Sequence, residues 1–288
     1  MKLKVIQERI RERFDYIIER PILTSVFVLL IMMVLVIGLS LPYYFENFHG
    51  FIGQVLAEAH GMLFDIAVIG ILIFWLNKNG EKRQRIRTYK DEIDDFRLWE
   101  SEEAAFRTVG NIKRLNRNGI FEINLVNSYL SKTNLNYVVL KDSNLNTANL
   151  SNSFLIETDL RNTRLNQTIL ENANLNQADM RGAYASGANF KDAYLIKANL
   201  EGAFLIKTNF KNAFLMEANL QESYLTGADF ENASLYKADL RGAKGLTVEQ
   251  LQKAKTLYLA QFDEDIQEML KEQSPELVDE QQAEPKEQ

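Results

Sequence analysis

Proton transfer and metal binding need histidines, cysteines or carboxylates brought together, and this chain offers few. It has no cysteine, so a thiolate nucleophile, a thiolate metal site and a disulfide framework are all excluded. Its two histidines, His49 and His60, lie in or beside apolar sequence, and none occurs in the Ser/Thr-containing second half. A Ser–His triad is therefore absent, as are a P-loop and a G-x-G-x-x-G turn. The one ionisable group placed to do chemistry in the apolar region is Asp65, near Glu58 and His60. Intramembrane carboxylates are costly and often mark ion or proton paths. No second charged helix exists to complete such a path, so these groups are read as lying near the outer interface. Asp65 is then protonated or paired in an oligomer. The expectation is no catalytic residue, no metal and no cofactor: not an enzyme.

The elements holding these residues come next. Ile22 to Leu41 gives twenty residues without a charge, enough to cross a bilayer as a helix, with Pro21 suited to its first turn and Pro42 to its end. No A-x-A cleavage site follows and the leading segment includes acids, which disfavours a secretory signal. A second apolar run spans Val55 to Leu76. Lys2, Lys4, Arg9, Arg11, Arg13 and Arg20 precede the first run; Lys78, Lys82, Arg83, Arg85, Arg87 and Lys90 follow the second; none lies between. The positive-inside rule predicts a two-span hairpin with both ends cytoplasmic and a short outer loop near Tyr43 to Gln54.

From Asn124 to Ala243 the sequence keeps a period of five. Every fifth residue from Leu125 to Leu240 is Leu (19), Phe (Phe190, Phe210, Phe230), Met180 or Ala185. Two residues before each stands Ala (13), Ser or Thr (nine), Ile123 or Val138. On a helix such leucines would spread over all faces, and on a flat strand they would alternate. Only a chain that turns a corner in every unit keeps them all dry. The position two after each Leu supplies the corner: Gly182, Gly187, Gly202, Gly227 and Gly242 fall there, with Asn127, Asn152, Asn162, Asn172, Asn212 and Asn232. No proline interrupts residues 43–274. The sequence specifies a solenoid.

Units such as Ala218-Asn219-Leu220-Gln221-Glu222 and Ala228-Asp229-Phe230-Glu231-Asn232 resemble the A(D/N)LXX motif of pentapeptide repeat proteins. The resemblance covers about 120 of the 288 residues. It implies an all-β solenoid, a right-handed quadrilateral β-helix with four units per coil and about six coils, roughly 29 Å tall at a rung spacing of about 4.8 Å. It says little about function, because the motif encodes a core.

Sorting outward residues by that implied coil puts Phe154, Tyr194 and Phe214 on one wall, with Ile156, Ile196, Met216 and Tyr236 just past the corner-side leucines. Lys197, Glu217 and Lys237 run beside them with alternating sign. The opposite wall carries Tyr184, Phe204, Tyr224 and Ile206; the other two are mostly polar. Asp159, Asp179 and Asp239 align with Asn199 and Asn219 as a polar ladder. A contiguous apolar column in solvent marks an interface; Phe154, Ile156, Tyr194, Ile196, Phe214, Met216 and Tyr236 are the predicted interaction wall.

Residues 81–113 read as a charged helix or helix pair, with Ile86, Tyr89, Ile93 and Phe96 at a/d spacing and Phe106, Val109 and Ile112 continuing the stripe over the open first coil. Thr247-Val248-Glu249-Gln250 resembles a capping box. It predicts a helix from about Val248 to Leu259 burying Leu251, Ala254, Leu257 and Tyr258, then a second near Asp263 to Lys271. From Ser274 the chain is acidic and Gln-rich and is expected to be disordered. The predicted divisions are thus 1–20, a charged cytosolic segment; 21–76, the hairpin; 77–113, the connector; 114–245, the β-helix; 246–273, the helical cap; and 274–288, the tail.

These features predict a non-enzymatic scaffold, integral in a bacterial inner or internal membrane, with the repeat domain cytoplasmic. It would meet lipid through two spans and a protein partner or itself through the wall. Some members of the resembled family mimic DNA toward a type II topoisomerase, which relies on a strongly acidic surface. Residues 121–245 carry 12 Lys/Arg against 13 Asp/Glu, so that alternative and nucleic-acid binding fit less well. Part of an ion or proton transport complex is the remaining alternative, resting on Asp65 alone.

Overall fold

The structure is a computed structural model that describes residues 21–46 and 48–278. The charged segment 1–20 and residues 279–288 of the expected tail lie outside the described residues. The chain divides into two compact units, Met1–Gln84 and Arg85–Gln288.

The first unit holds α1 (Pro21–Glu46) and most of α2 (Phe48–Asp95), whose final turns belong to the second unit. Leu, Ile, Val and Phe dominate α1 and the part of α2 up to Leu76, and the apolar side chains from Val28 to Ile37 and from Leu63 to Leu76 stand largely exposed. Among the described residues one helix, Ile52–Asp95 within α2, is long and apolar enough to cross a membrane; Val26–Gly38 of α1 is a shorter apolar stretch. The loop expected near Tyr43 to Gln54 is instead almost wholly helical, and Pro42 lies inside α1. Proline removes only one helical bond, whereas opening several residues of apolar sequence leaves many backbone groups unpaired. The charged connector begins as a continuation of the same helix. Glu81, Lys82, Arg83, Gln84 and Arg85 are good helix formers and carry α2 on to Asp95.

In the second unit each pentad contributes one rung. The residue just before each core position forms a parallel bridge to its equivalent twenty residues away, from Asn124↔Asn144 through Tyr224↔Lys244. Four pentads therefore make one circuit, and among the described residues no strand exceeds a single bridged residue. Arg164 shows the pattern: its carbonyl accepts from Leu145 N at 2.7 Å, and its own N–H donates to Ser143 O at 2.9 Å. The corner is closed by bonds such as Ser128 N to Leu125 O, 3.1 Å. Position two after every core residue has positive φ, from Asn127 (57°) to Gly242 (69°). Glycine and asparagine were expected there, but Lys132, Tyr137, Thr147 and Glu157 adopt the same left-handed conformation. The leucine column is fully buried along its length, with Phe190, Phe210 and Phe230 stacked at 5.2 and 5.4 Å inside it.

The column is covered at its start by α3 (Glu102–Arg117), capped by Ser101 Oγ accepting from Ala104 N at 3.2 Å. Its buried face, Ala105, Thr108, Val109, Ile112 and Leu115, places Ile112 and Leu115 in the same core as Ile123 and Leu125. Phe106, expected on that stripe, is 75% exposed. It stands one residue, about 100°, away from the Ala105–Val109–Ile112 line. At the end of α2, Ile93 is buried, with Ile86 and Tyr89 packed partly against this core.

At the far end the capping box forms: Thr247 and Gln250 exchange side-chain bonds, and Gln250 Nε2 also donates to Leu225 O and Ala228 O at 2.9 and 2.8 Å. The helix it starts, α4 (Val248–Leu251), is a single turn and does not reach Leu259. The chain instead resumes the ladder: Thr256 bridges Ser234 and Gln261 bridges Asp239, twenty-two residues away rather than twenty. Leu259 takes the corner at φ 58°, and Leu257 is buried like a repeat leucine. α5 (Glu264–Gln273) follows where a second helix was expected. Residues 274–278, expected to open a disordered tail, are instead packed: Ser274 is buried and accepts from Gln252 Nε2 at 3.1 Å. In α6 (Pro275–Val278), Leu277 O accepts from Leu257 N at 2.8 Å. That bond occupies a rung-edge N–H which no further circuit would meet.

Candidate interaction wall

The residue preceding each core position decides what a wall can carry. Where it is Asn or Asp, its Oδ1 accepts from the N–H two residues on, as in Asn189 to Lys191 (3.1 Å) and Asp229 to Glu231 (3.1 Å). This turn satisfies the corner amide and explains the D/N of the motif. An aromatic residue there forfeits the bond. At Phe154 and Tyr194 the corner N–H of Ile156 and Ile196 donates instead to Asn136 and Asn176 of the preceding circuit, each at 2.9 Å. Asparagine one rung back thus frees this wall to be apolar.

Phe154, Tyr194 and Phe214 lie in one bridged column, Asn134–Phe154–Asn174–Tyr194–Phe214–Ser234. They are 49%, 42% and 36% exposed. Ile156, Ile196, Met216 and Tyr236, at the equivalent position two residues later, are half-buried, with Asn176 between the first two. Tyr194 and Phe214 stack at 4.9 Å with planes 7° apart. Asn174 separates Phe154 from that stack, so the column comprises a small upper island and a larger lower one. Tyr236 continues the lower island by stacking on Tyr258 at 5.8 Å, a contact that the missed rung at 256 makes possible. Beside it Lys197 Nζ lies 3.5 Å from Glu217 Oε2.

The opposite wall is arranged differently. Tyr184, Phe204 and Tyr224 form an unbroken stack at 4.8 and 4.5 Å, closed by Lys244 over Tyr224 at 4.8 Å. Phe204 and Tyr224 are only half-exposed, because each ring covers its neighbour's face.

The aspartate column is a polar ladder. Asp159 bridges Asp179, and Asn219 bridges Asp239. Arg161 binds both oxygens of Asp159 at 2.9 and 2.7 Å, and Arg181 and Arg241 pair likewise with Asp179 and Asp239. The Arg161 hydrogen bond holds the Asp159 carboxyl below its ordinary range although partial burial opposes it; Arg241 does the same for Asp239. Carboxylates held ionised by a dedicated arginine are poor proton donors. A cleft of about 470 Å³ near Lys90, Glu122 and Arg164 includes none of them.

Among the described residues no group of three or more His, Asp and Glu could hold a metal. Glu58, His60 and Asp65 lie on α2, where His60 Nδ1 sits 2.6 Å from Leu56 O.

The second unit is thus a parallel β-helix with a leucine core and four distinct walls. The sequence profile described as Pentapeptide repeats matches in eight copies, over residues 123–162, 143–182, 158–195, 173–212 and 213–244. Residues 123–244 are thus pentapeptide repeats. Similar solved structures include HetL from the cyanobacterium Nostoc sp. strain PCC 7120, a pentapeptide repeat protein involved in heterocyst differentiation regulation. It is 25% identical, with 53% of this chain and 93% of that chain covered and a TM-score of 0.23. A pentapeptide repeat protein of the Arabidopsis thaliana thylakoid lumen is 27% identical, over 36% and 70% of the two chains, TM-score 0.26. QnrB1, a plasmid-mediated fluoroquinolone resistance protein, is 18% identical over 55% and 85%, TM-score 0.28. No curated protein is matched.

Proposed function

We propose that this protein is a non-catalytic, membrane-anchored scaffold whose β-helix offers the Phe154–Tyr236 wall to a protein partner or to a second copy. The observation that carries the reading is the exposure of Phe154, Tyr194 and Phe214 in one column beside Ile156, Ile196 and Met216. Aromatic and methionine side chains on a rigid frame are the composition that interface cores favour. The anchor rests on the apolar length of α2 and on the apolar sequence Ile22–Leu41. Lys and Arg flank these two runs and are missing between them, which supports two spans with both ends and the solenoid in the cytoplasm. The near-balance of charge over residues 121–245 gives the topoisomerase alternative little net acidity to work with.

The test is a crosslinking pull-down from native membranes, comparing the natural chain with Ile196→Asp plus Met216→Asp and with Ile206→Asp on the opposite wall. The first variant should lose the partner or the oligomer, and Ile206→Asp should keep it. Retention of the same complexes by the first variant would remove the wall assignment.

A further inference from the structure

A second set of exposed apolar side chains, outside the repeat, stands in the turn between α2 and α3 and at the start of α3. Leu98, Trp99 and Phe106 are 74%, 61% and 75% exposed, each more than any aromatic of the Phe154 column. The turn that presents them is well fixed. Trp99 N donates to Phe96 O and Ser101 N to Trp99 O, both at 3.0 Å, and the Trp99 ring meets Phe96 edge-on at 5.6 Å. Arg107, next to Phe106 in sequence, lies over the other ring of that pair, Phe96, at 5.7 Å. An exposed tryptophan braced by a second ring, with an exposed phenylalanine close in sequence, matches the anchors that dominate binding energy at interfaces.

Charge selects the occupant. Between Asp94 and Arg107 the chain carries five carboxylates, Asp94, Asp95, Glu100, Glu102 and Glu103, against Arg97 and Arg107. Both arginines are engaged, by Asp94 and Glu103, and Lys132 reaches in to Glu102 at 3.2 Å. Asp95 and Glu100 carry no ion pair among the described residues. An acidic rim around an apolar centre repels anionic headgroups and complements a segment with an apolar stripe flanked by Lys and Arg. We propose that Leu98, Trp99 and Phe106 form a docking site for a basic amphipathic helix of a partner protein.

The test uses the full chain in neutral-lipid nanodiscs, with Trp75→Phe leaving Trp99 as the sole indole. Two synthetic amphipathic peptides of about 18 residues, five helical turns, are titrated: one of Leu and Lys, one of Leu and Glu. The Leu/Lys peptide should give a saturable blue shift of Trp99, at least about tenfold tighter than the Leu/Glu peptide. Leu98→Asp plus Phe106→Asp should abolish the preference, and Asp95→Lys plus Glu100→Lys should reverse it. Equal binding of both peptides, or an unreversed preference in the charge-swapped chain, overturns the proposal. Quenching of Trp99 by brominated lipid before any peptide is added overturns it too, since the bilayer would then be the occupant.

Discussion

Asn116 closes the top of the ladder against Val139: its Nδ2 donates to Val139 O at 2.9 Å while its Oδ1 accepts from Val139 N at 2.8 Å. One side-chain amide thus stands in for a missing rung. Asn116→Ala should lower stability by about 1–3 kcal/mol, because two part-buried backbone groups lose their partner. Hydrogen exchange should localise the effect, with the Val139 amide accelerated far more than Leu215.

Two serines in equivalent slots should respond oppositely. Ser143 Oγ donates to Phe121 O at 2.7 Å and accepts from Ile123 N at 3.0 Å, whereas the buried Ser128 Oγ has no hydrogen-bond partner among the described residues. Ser143→Ala should cost about 1–3 kcal/mol, and Ser128→Ala should be neutral or stabilise by up to about 1 kcal/mol. Chemical denaturation of the two variants side by side checks the sign.

Leu259 holds φ at 58° with half its surface exposed. Left-handed backbone costs a residue with a Cβ about 1–2 kcal/mol, and glycine gives back about 0.5–1 kcal/mol through unfolded-state entropy. Leu259→Gly should therefore raise stability by about 0.5–1 kcal/mol, seen as a higher denaturation midpoint.

Ala185 and Met180 share a circuit with Phe190 and Leu195, whereas the next two circuits use Leu200, Leu205, Phe210, Leu215 and Leu220, Leu225, Phe230, Leu235. Ala185 is fully buried and its N–H bonds Phe204 O at 2.8 Å, so the wall is in register there. Ala185→Leu alone should cost about 1–3 kcal/mol by overpacking beside the longer Met180. Adding Met180→Leu reproduces the neighbouring circuits and should recover most of that loss in thermal melts.

The Asp159–Arg161 pair gives a defined pH dependence. The folded carboxyl titrates below its unfolded value, chiefly through the Arg161 hydrogen bond. Its stabilisation is therefore fully present above the unfolded value of about 4 and is lost as pH falls below it. Arg161→Gln should move the Asp159 titration, followed by NMR, back up toward the ordinary carboxylate range and leave stability between about pH 6 and 8 nearly flat.

The core was legible in the sequence because a Leu every five residues admits only one way to stay dry, and the bridges at twenty-residue intervals agree with that reading. The corners were half legible. Glycine and asparagine advertise positive φ, but the ladder is strong enough to force Lys132, Tyr137 and Thr147 into it as well. The rungs at Thr256 and Gln261 were hidden by a two-residue offset, and Leu251, Ala254, Leu257 and Tyr258 imitate a helical stripe while belonging to a turn and a rung. For the wall, spacing located the column; the break at Asn174 and the donors that Asn136 and Asn176 satisfy appear only once the circuits are stacked. Trp99 gave no periodic signal, and Phe106 gave a false one: its spacing put it on the Val109–Ile112 stripe, one residue from the Ala105 position that is buried.

The Leu277 carbonyl and the Gln250 amide occupy backbone groups that would otherwise present themselves to another chain at the bottom of the column. Asn116 does the same at the top. Such a rod is a finite object: it cannot template itself end to end into a fibre, and its length is set by how many pentads the gene encodes. A partner of the proposed wall would meet the flank of the rod, so lengthening or trimming the repeat by whole circuits would shift that contact along the axis without opening a sticky terminus.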